Sequence, residues 1–372
     1  MCHFLPGDRL KKYAATSRFR LQSFITADKA LRPDASTTTK NSFAALLNSA
    51  VSKSTWEKYG SGLNAFSCFE AASCTSFSWP LSLETCREFV VWCHYTRRLA
   101  PGTTKAYLSA IKFVHHLRGM SCQHISDDPT IALLLRGSTH LALSTPPNNT
   151  RRVVTFPLLL VLRHRIASTD WDPLTKQVIW AASTTAFFGS TRMGEILASE
   201  SGAHSPSSDL TWNDVRESSG TSLLIRLKQP KSGEAVEFVD LFPFPHHNCC
   251  PVLALKNLRK KQLAADMSDT SLPVFRFGTG KNLTMQQFNE TLSLLLPDLC
   301  STGVQTIKCH SFRPGIPSTL SLFPELATAD LVKGWGRWKS DCYMRYTRLK
   351  LPQRLNIFEK ISAALLSTSS AV

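Results

Sequence analysis

The spacing of apolar residues changes along this chain, and that change limits the folds it can adopt. Between residues 40 and 145 apolar side chains recur every three or four positions, which is typical of amphipathic helices. In the segment STWEKYGSGLNAF they are Trp56, Tyr59, Leu63 and Phe66. Between residues 209 and 243 the segments DLTWNDVRES, SLLIRLKQP and EAVEFVDLFP alternate with a period of two, which is typical of short strands. The pattern predicts an all-α block followed by an α+β region, mainly α with one small antiparallel β-sheet.

A linker separates these two regions. The segment LALSTPPNNTRR, residues 141–152, contains two prolines and two asparagines and has no apolar period. A chain of 372 residues is long enough for two domains with separate cores. We therefore expect a helical domain at residues 40–145, an α+β domain at residues 150–372 that ends in a helix, and a basic, disordered arm at residues 1–39. In the second domain, residues 173–199 are predicted to form one long, mostly buried helix.

Positive charge exceeds negative charge and is concentrated in two segments. The chain has 43 Lys and Arg against 27 Asp and Glu, and its formal net charge is +16. Residues 97–118 hold five of these cations and no acid, and residues 301–360 hold ten against four acids. Such an excess points to a polyanionic partner, first of all nucleic acid. The alternative for each segment is an ordinary solvated helix face.

Several classes of protein fit the sequence poorly. The eleven cysteines are scattered and lack the paired spacing of a disulfide framework or a zinc site, so we expect reduced thiols and no bound metal. No apolar run reaches the length of a membrane span. The first twenty residues lack the apolar core of a secretory signal. The sequence therefore favours an intracellular protein that is not secreted and has no membrane partner.

Five residues of the second domain suit chemistry on a phosphodiester. They are Arg192, Lys231, His310, Arg313 and Tyr346. Two guanidinium groups can hold the non-bridging oxygens of a phosphate as negative charge develops on them, and no metal is needed for this. A tyrosine can attack phosphorus and store the bond, and a lysine or histidine can protonate the leaving 5′ oxygen.

Taken in order, these motifs resemble a known family. The segment GSTRMGEILA, the lysine in the hairpin turn KQPKSG, the segment HSFR and the segment GRWKSDCYMRYTR resemble the catalytic domain of the tyrosine recombinases, or phage integrases, over roughly residues 150–350. The block at residues 40–145 resembles their core-binding (SAM-like) DNA-binding domain. The sequences of HSFR and of GRWKSDCYMRYTR are most similar to those in recombinases of eukaryotic DIRS-like or Crypton mobile elements.

The resemblance implies site-specific DNA recombination or integration of a mobile element through a 3′-phosphotyrosine intermediate. Arg192 and Arg313 would clamp the scissile phosphate, and Lys231 would protonate the leaving oxygen. His310 would assist proton transfer and Tyr346 would be the nucleophile. The expected partners are double-stranded DNA and further copies of the chain, as a dimer or tetramer, with no cofactor and no small-molecule substrate. For a eukaryotic mobile element the expected location is nuclear.

Other residues compete for some of these roles. Lys228 competes with Lys231, which is favoured because it lies at the tip of the turn. Tyr343 competes with Tyr346, which fits the family spacing. Glu195 is three residues after Arg192 and is expected to orient it.

The position that is His or Trp in the family is also ambiguous. The family places it nine residues before the nucleophile, whereas Trp338 is eight residues before Tyr346 and Arg337 is nine. Either Trp338 packs on the phosphate or Arg337 supplies that contact. We expect Trp338 to do so and Arg337 to support the site. The spacing of His310 and Arg313, i and i+3, predicts that they share one helix face.

Phosphate contacts outside the catalytic set are assigned to two groups of cations. They are Arg97, Arg98, Lys105 and Lys112 in the first domain, and Arg345 and Arg348 beside the nucleophile. Two alternative functions share these features: a catalytically inactive, domesticated recombinase that only binds DNA, and a type IB topoisomerase that relaxes supercoils as a monomer.

Overall fold

The computed structural model describes residues 31–32, 34–143, 150–218, 221–228, 236–244, 248–300, 305–320 and 328–338. The chain divides into two compact units, Met1–Pro147 and Asn148–Val372, which we call the N-terminal and C-terminal units. Most of the predicted arm, at residues 1–30, lies outside the described residues. Within the described part of the chain, no helix combines the length and the apolar character that crossing a bilayer requires.

The described elements of the N-terminal unit are all helices. They are α1 (Thr37–Ser49), α2 (Lys53–Ala72), α3 (Leu83–Tyr95), α4 (Pro101–Leu117), α5 (Gln123–Asp127) and α6 (Pro129–Leu143). Three of them begin at a serine, because the hydroxyls of Ser36, Ser52 and Ser82 accept a hydrogen bond from the backbone N–H three residues later. Aromatic rings fill the core, where the Phe66 and Phe89 centroids are 5.3 Å apart.

A buried histidine links α4 to the chain that precedes α3. The backbone N–H of Leu81 donates to Nε2 of His115 at 3.1 Å, so the ring proton is on Nδ1, which donates to the Ile111 carbonyl at 2.9 Å. Both ring nitrogens are therefore used in the neutral form. Burial lowers the pKa of His115 below its usual value, and the neighbouring His124 lowers it further.

The C-terminal unit is mainly helical and contains a small sheet. Its helices are α7 (Phe156–Ala167), α8 (Pro173–Phe188), α9 (Met193–Ile196), α10 (Pro251–Leu263), α11 (Met285–Leu295), α12 (Pro297–Cys300), α13 (Gly315–Leu320) and α14 (Ala329–Gly336). Its strands are β1 (Thr150–Arg151), β2 (Val215–Glu217), β3 (Leu223–Leu227), β4 (Glu237–Leu241) and β5 (Gln305–Thr306). The buried helix α8 lies at the centre of the unit, with Trp180 and Phe187 in its core.

The three predicted strands form one antiparallel sheet. The strand order is β2-β3-β4, with Ile225 of β3 opposite Val215 on one side and Val239 on the other. The predicted fold class, mainly α with a small antiparallel sheet beside an all-α unit, is confirmed. Strand β1 also pairs in parallel with β5, with Thr150 opposite Gln305, and no sequence pattern predicts this pairing.

The prediction of one long helix over residues 173–199 is wrong, because the helix breaks before Arg192. Helix α8 ends at Phe188, Gly189 caps it, and the separate turn α9 begins at Met193. A Cβ at Gly189 would lie 2.9 Å from Val239 Cγ1, so β4 approaches too closely for any larger residue. Ser190 then adopts a left-handed conformation with φ of 46°, which redirects the chain.

Candidate active site

The break after α8 places Arg192 beside a buried carboxylate. The backbone N–H of Arg192 donates to Oε2 of Glu195 at 2.9 Å, and its Nη1 donates to Oε1 at 2.5 Å. Glu195 is buried, whereas the Arg192 side chain is 27 % exposed. The structure therefore brings these two predicted residues into contact and leaves part of the arginine open to solvent.

Arg313 lies deeper in the same site. Its Nη1 donates to the carbonyl oxygen of Ser190 at 3.1 Å and its Nη2 donates to that of Gly336 at 2.8 Å. Its Nη1 is also 3.7 Å from Oε2 of Glu195, and its side chain is 2 % exposed. Burial, with the nearby charge of Arg192, lowers the pKa of Arg313 to about 10, so the group remains a cation at neutral pH.

Trp338 packs beside Arg313. The guanidinium carbon of Arg313 is 5.6 Å from the centroid of the buried indole, which is the range of a cation–π contact. A Cβ at Gly336 would lie 2.2 Å from Cε3 of Trp338, so the close approach of the ring requires glycine at that position. Trp338 is therefore part of the wall around the arginine.

Arg337 has a different environment from the one that a phosphate contact would need. Its Nη1 donates to Oε2 of Glu237 at 2.5 Å, and its Nη2 donates to Oε2 of Glu195 at 3.0 Å. Its side chain is 12 % exposed. Two carboxylates therefore hold the guanidinium from both sides, as is fitting for a supporting residue.

Glu195 is thus the common partner of three arginines. We call Arg192, Arg313, Arg337 and the carboxylates of Glu195 and Glu237 the arginine cluster; its three cations and two anions leave a net charge of +1. Burial by itself would raise the pKa of Glu195, but the charge of Arg337 and the hydrogen bonds from Arg192 outweigh it and hold that pKa below its usual value. The cluster is therefore a preorganised cationic site around the ionised carboxylate of Glu195.

His310 and Arg313 do not share a helix face as predicted. His310 lies in a 3-10 turn, Cys309–Ser311, and α13 begins only at Gly315. The turn is fixed from outside, because the backbone N–H of Cys309 donates to the side chain of Asn289 at 2.9 Å. The two residues therefore differ in exposure, with His310 partly exposed and Arg313 buried.

The two lysines that compete as the proton donor differ in what the structure shows of them. Lys228 is part of a structural network, because its Nζ lies 2.6 Å from Oδ2 of Asp214 and donates to the carbonyls of Pro206 and Asp209 at 2.9 and 3.0 Å. This ammonium is committed elsewhere. Lys231 lies outside the described residues, as do Tyr343, Arg345, Tyr346 and Arg348.

In the N-terminal unit the predicted phosphate contacts are on or next to α4. Lys105 and Lys112 line a cleft of about 520 Å³ together with Arg136. Arg97 and Arg98 follow α3 and are exposed, and the guanidinium of Arg97 lies 5.7 Å from the centroid of the Trp92 ring. These cations are placed where a polyanion could reach them.

Sequence reasoning missed Glu237 and the backbone carbonyl of Ser190. Glu237 is the first residue of β4 and is largely buried, although the period-two pattern alone gives no reason to place a carboxylate there. Ser190 contributes its main-chain carbonyl oxygen, and a motif of side chains cannot predict such a contact. A weak signal existed for the first, since an acid inside an apolar strand commonly has a cationic partner.

The fold, with one all-α unit and one mainly α unit that holds a three-stranded antiparallel sheet, is similar to that of solved structures of site-specific recombinases and of a transposon integrase. No protein-family model matches the sequence, and no curated protein matches it. The similarity was found among solved structures.

Three of those structures illustrate it. The XerH site-specific recombinase bound to difH substrate, a pre-cleavage complex, has a TM-score of 0.53 and 16 % identity and covers 94 % of both chains. The post-cleavage complex of XerH with palindromic difH has a TM-score of 0.55 and 14 % identity, over 93 % of this chain and 95 % of that one. The Tn1549 transposon integrase with circular intermediate DNA has a TM-score of 0.51 and 11 % identity, over 93 % and 98 %. At these identities the similarity establishes the fold.

Proposed function

We propose that this protein is a tyrosine recombinase that breaks and rejoins double-stranded DNA. The observation that carries the proposal is the arginine cluster, in which a buried, ionised Glu195 orients Arg192 and Arg337 beside Arg313. A cationic site of this kind suits the negative charge that develops on a phosphate during substitution, because its donors are already in position. The shared fold supports the same activity.

The partial exposure of Arg192 makes it the first contact for a scissile phosphate. A guanidinium can hold two oxygens at once, so Arg192 would fix the orientation of the phosphate as well as neutralise it. Arg313 is more deeply buried, and it could donate to a phosphate oxygen through the N–H groups of Nη1 and Nη2 that the carbonyls of Ser190 and Gly336 do not use. Trp338 would exclude water from that side.

The remaining roles follow the family pattern. Tyr346 would attack phosphorus and form a 3′-phosphotyrosine, which releases the 5′ oxygen of the next nucleotide. Lys231 would give that oxygen its proton, and the commitment of Lys228 to Asp214 supports this choice. His310 would assist the proton transfer. Religation would reverse these steps, and the covalent bond would conserve the energy of the phosphodiester.

The cellular role would be integration or excision of a mobile element of DIRS-like or Crypton type, acting in the nucleus. The motif wording supports this, and one structural neighbour is described as a transposon integrase. We propose that residues 40–145 act as the core-binding domain, with the cations around α4 on the DNA backbone, and that two copies act at each recombining site. Residues 150–372 would form the catalytic domain.

A nicked suicide substrate tests the activity, because the short strand beyond the cleavage site diffuses away and traps the covalent intermediate. The protein should form an adduct that migrates slowly under denaturing conditions, and Tyr346→Phe should bind the same DNA without forming it. Binding without an adduct by the unsubstituted protein would indicate the inactive, DNA-binding alternative. Relaxation of a supercoiled plasmid without site preference would indicate a topoisomerase.

A further inference from the structure

Arg337 and Glu237 connect the sheet of the C-terminal unit to its arginine cluster. Glu237 opens β4 and pairs with Leu227 at the end of β3, whereas Arg337 ends α14. The two side chains meet at 2.5 Å, and the other branch of Arg337 reaches Glu195 at 3.0 Å. We infer that Glu237, acting through Arg337, positions Glu195 and thereby the arginines that meet the phosphate; the inference rests on the proposed function.

The backbone at Arg337 supports a side-chain role. Arg337 has φ of 51° and is the left-handed cap of α14, a position that glycine usually occupies because it has no Cβ. A non-glycine residue there costs about 1–2 kcal/mol. Arginine at this position therefore needs a compensating contact, and the two ion pairs supply it.

The geometry argues against a direct phosphate contact by Arg337. One branch of its fork donates to Glu237 and the other donates to Glu195 and, at 3.4 Å, to the Ser190 carbonyl. Its Nε is buried and has no hydrogen-bond partner among the described residues. Both terminal nitrogens of the guanidinium therefore already donate to carboxylates. Arg337 would affect the bound phosphate only through Glu195.

Glu237 also adjusts the charge of the site. The three arginines of the cluster face two carboxylates, and a neutral residue at position 237 would leave them to share Glu195 alone. Arg337 would then compete more strongly with Arg192 for the Glu195 carboxylate. A lysine at position 337 would fail in another way, because a single ammonium cannot span two carboxylates as a planar fork does.

The test compares cleavage of two nicked DNA substrates in single turnover. One has a normal phosphodiester at the cleavage site, and in the other a methyl group replaces one non-bridging oxygen, which removes the charge that the arginines neutralise. On the phosphodiester, Arg337→Lys and Glu237→Gln should each form the adduct about 10- to 100-fold more slowly than the parent. On the neutral methylphosphonate, both variants should form the adduct within about threefold of the parent rate. This substrate lacks the phosphate charge that the positioned arginines neutralise.

Arg165→Lys is the matched control, since Arg165 forms an exposed ion pair with Asp298 in the same unit and should leave both rates unchanged. The double variant Arg337→Lys/Glu237→Gln should cleave no more slowly than Arg337→Lys alone, because both substitutions remove the same contact. If Arg337→Lys does not fold, Glu237→Gln carries the comparison.

Equal losses on both substrates would show a merely structural role and overturn the inference, as would unchanged rates on the phosphodiester. If the unsubstituted protein forms no adduct with either substrate, the proposed function itself is wrong and the positioning role is lost with it. An active parent therefore separates the two failures.

Discussion

Glu195→Gln should lower the stability of the C-terminal unit substantially, although it changes only one atom of the side chain. The side chain keeps its size and one oxygen, but the three arginines around it lose their common anion. Arg313 is affected most, because its side chain is 2 % exposed and solvent cannot replace the missing charge.

The distances allow the effect to be sized. At an effective dielectric constant of about 20, a charge pair at 3.7 Å, as between Arg313 and Glu195, is worth about 4–5 kcal/mol before the cost of burying the charges is subtracted. Removing one partner of a buried pair costs about 3–5 kcal/mol in measured cases. Because the amide oxygen can still accept from the Arg192 backbone, we expect a loss near 3 kcal/mol, or about 6–12 °C in Tm for a unit of this size.

Thermal unfolding and urea unfolding of parent and variant measure this loss. The matched control is Glu290→Gln on the exposed side of α11, which should change the free energy of unfolding by less than about 0.5 kcal/mol. Sulfate should raise the Tm of Glu195→Gln more than that of the parent, because an anion can replace part of the missing charge. A loss below about 1 kcal/mol, or an equal response to sulfate, would refute the idea that this carboxylate holds the arginines in place.

Three further predictions concern other parts of the molecule. Arg192→Lys and Arg313→Lys should bind DNA nearly as well as the parent but cleave it about 100-fold more slowly, since they lose a preorganised fork; parallel losses of Tm, affinity and adduct yield would make either residue a scaffold. Neutralising the cations near α4 should reduce the log-log salt dependence of DNA affinity by about 2.7, which an unchanged slope would contradict; the substituted residues are Arg97, Arg98 and Lys105. The folded-state pKa of His115 lies below its unfolded value, so the stability of the N-terminal unit should fall as the pH drops below about 6.5. Urea midpoints at several pH values should show this loss in the parent and less of it in His115→Gln, and identical profiles would contradict it.

Local features of this fold could be predicted from the sequence. The cap at Ser82 depends only on residues within one turn, because its hydroxyl accepts from the backbone N–H of Thr85. Each of the three strands shows a period of two within a few residues. The prediction that they form an antiparallel sheet is confirmed. The contact of Arg192 with Glu195 could be predicted because the two residues are three positions apart and Glu195 matches an acidic position of the family pattern.

Features that depend on distant segments could not be predicted. The close approach of Val239 of β4 to Gly189 leaves no room for a larger residue there, and this contact comes from a segment fifty positions away. Lys228 pairs with Asp214, which is fourteen positions earlier in the chain. Arg337 pairs with Glu237, which is one hundred positions earlier. The motifs selected Arg192, Arg313 and Arg337, which the structure brings together at Glu195, whereas the hydrogen-bond partners of these residues required the tertiary structure.

The proposed function requires covalent catalysis by a tyrosine on a phosphate that the arginine cluster binds. Peptide mapping of the adduct formed on a nicked substrate tests it most directly, because digestion and mass spectrometry identify both the modified residue and the linked DNA end. We expect a single modified peptide, with the 3′ phosphate of the cleaved strand on Tyr346. A linkage to Tyr343, a linkage through the 5′ end, or no linkage on DNA that the protein binds would contradict it.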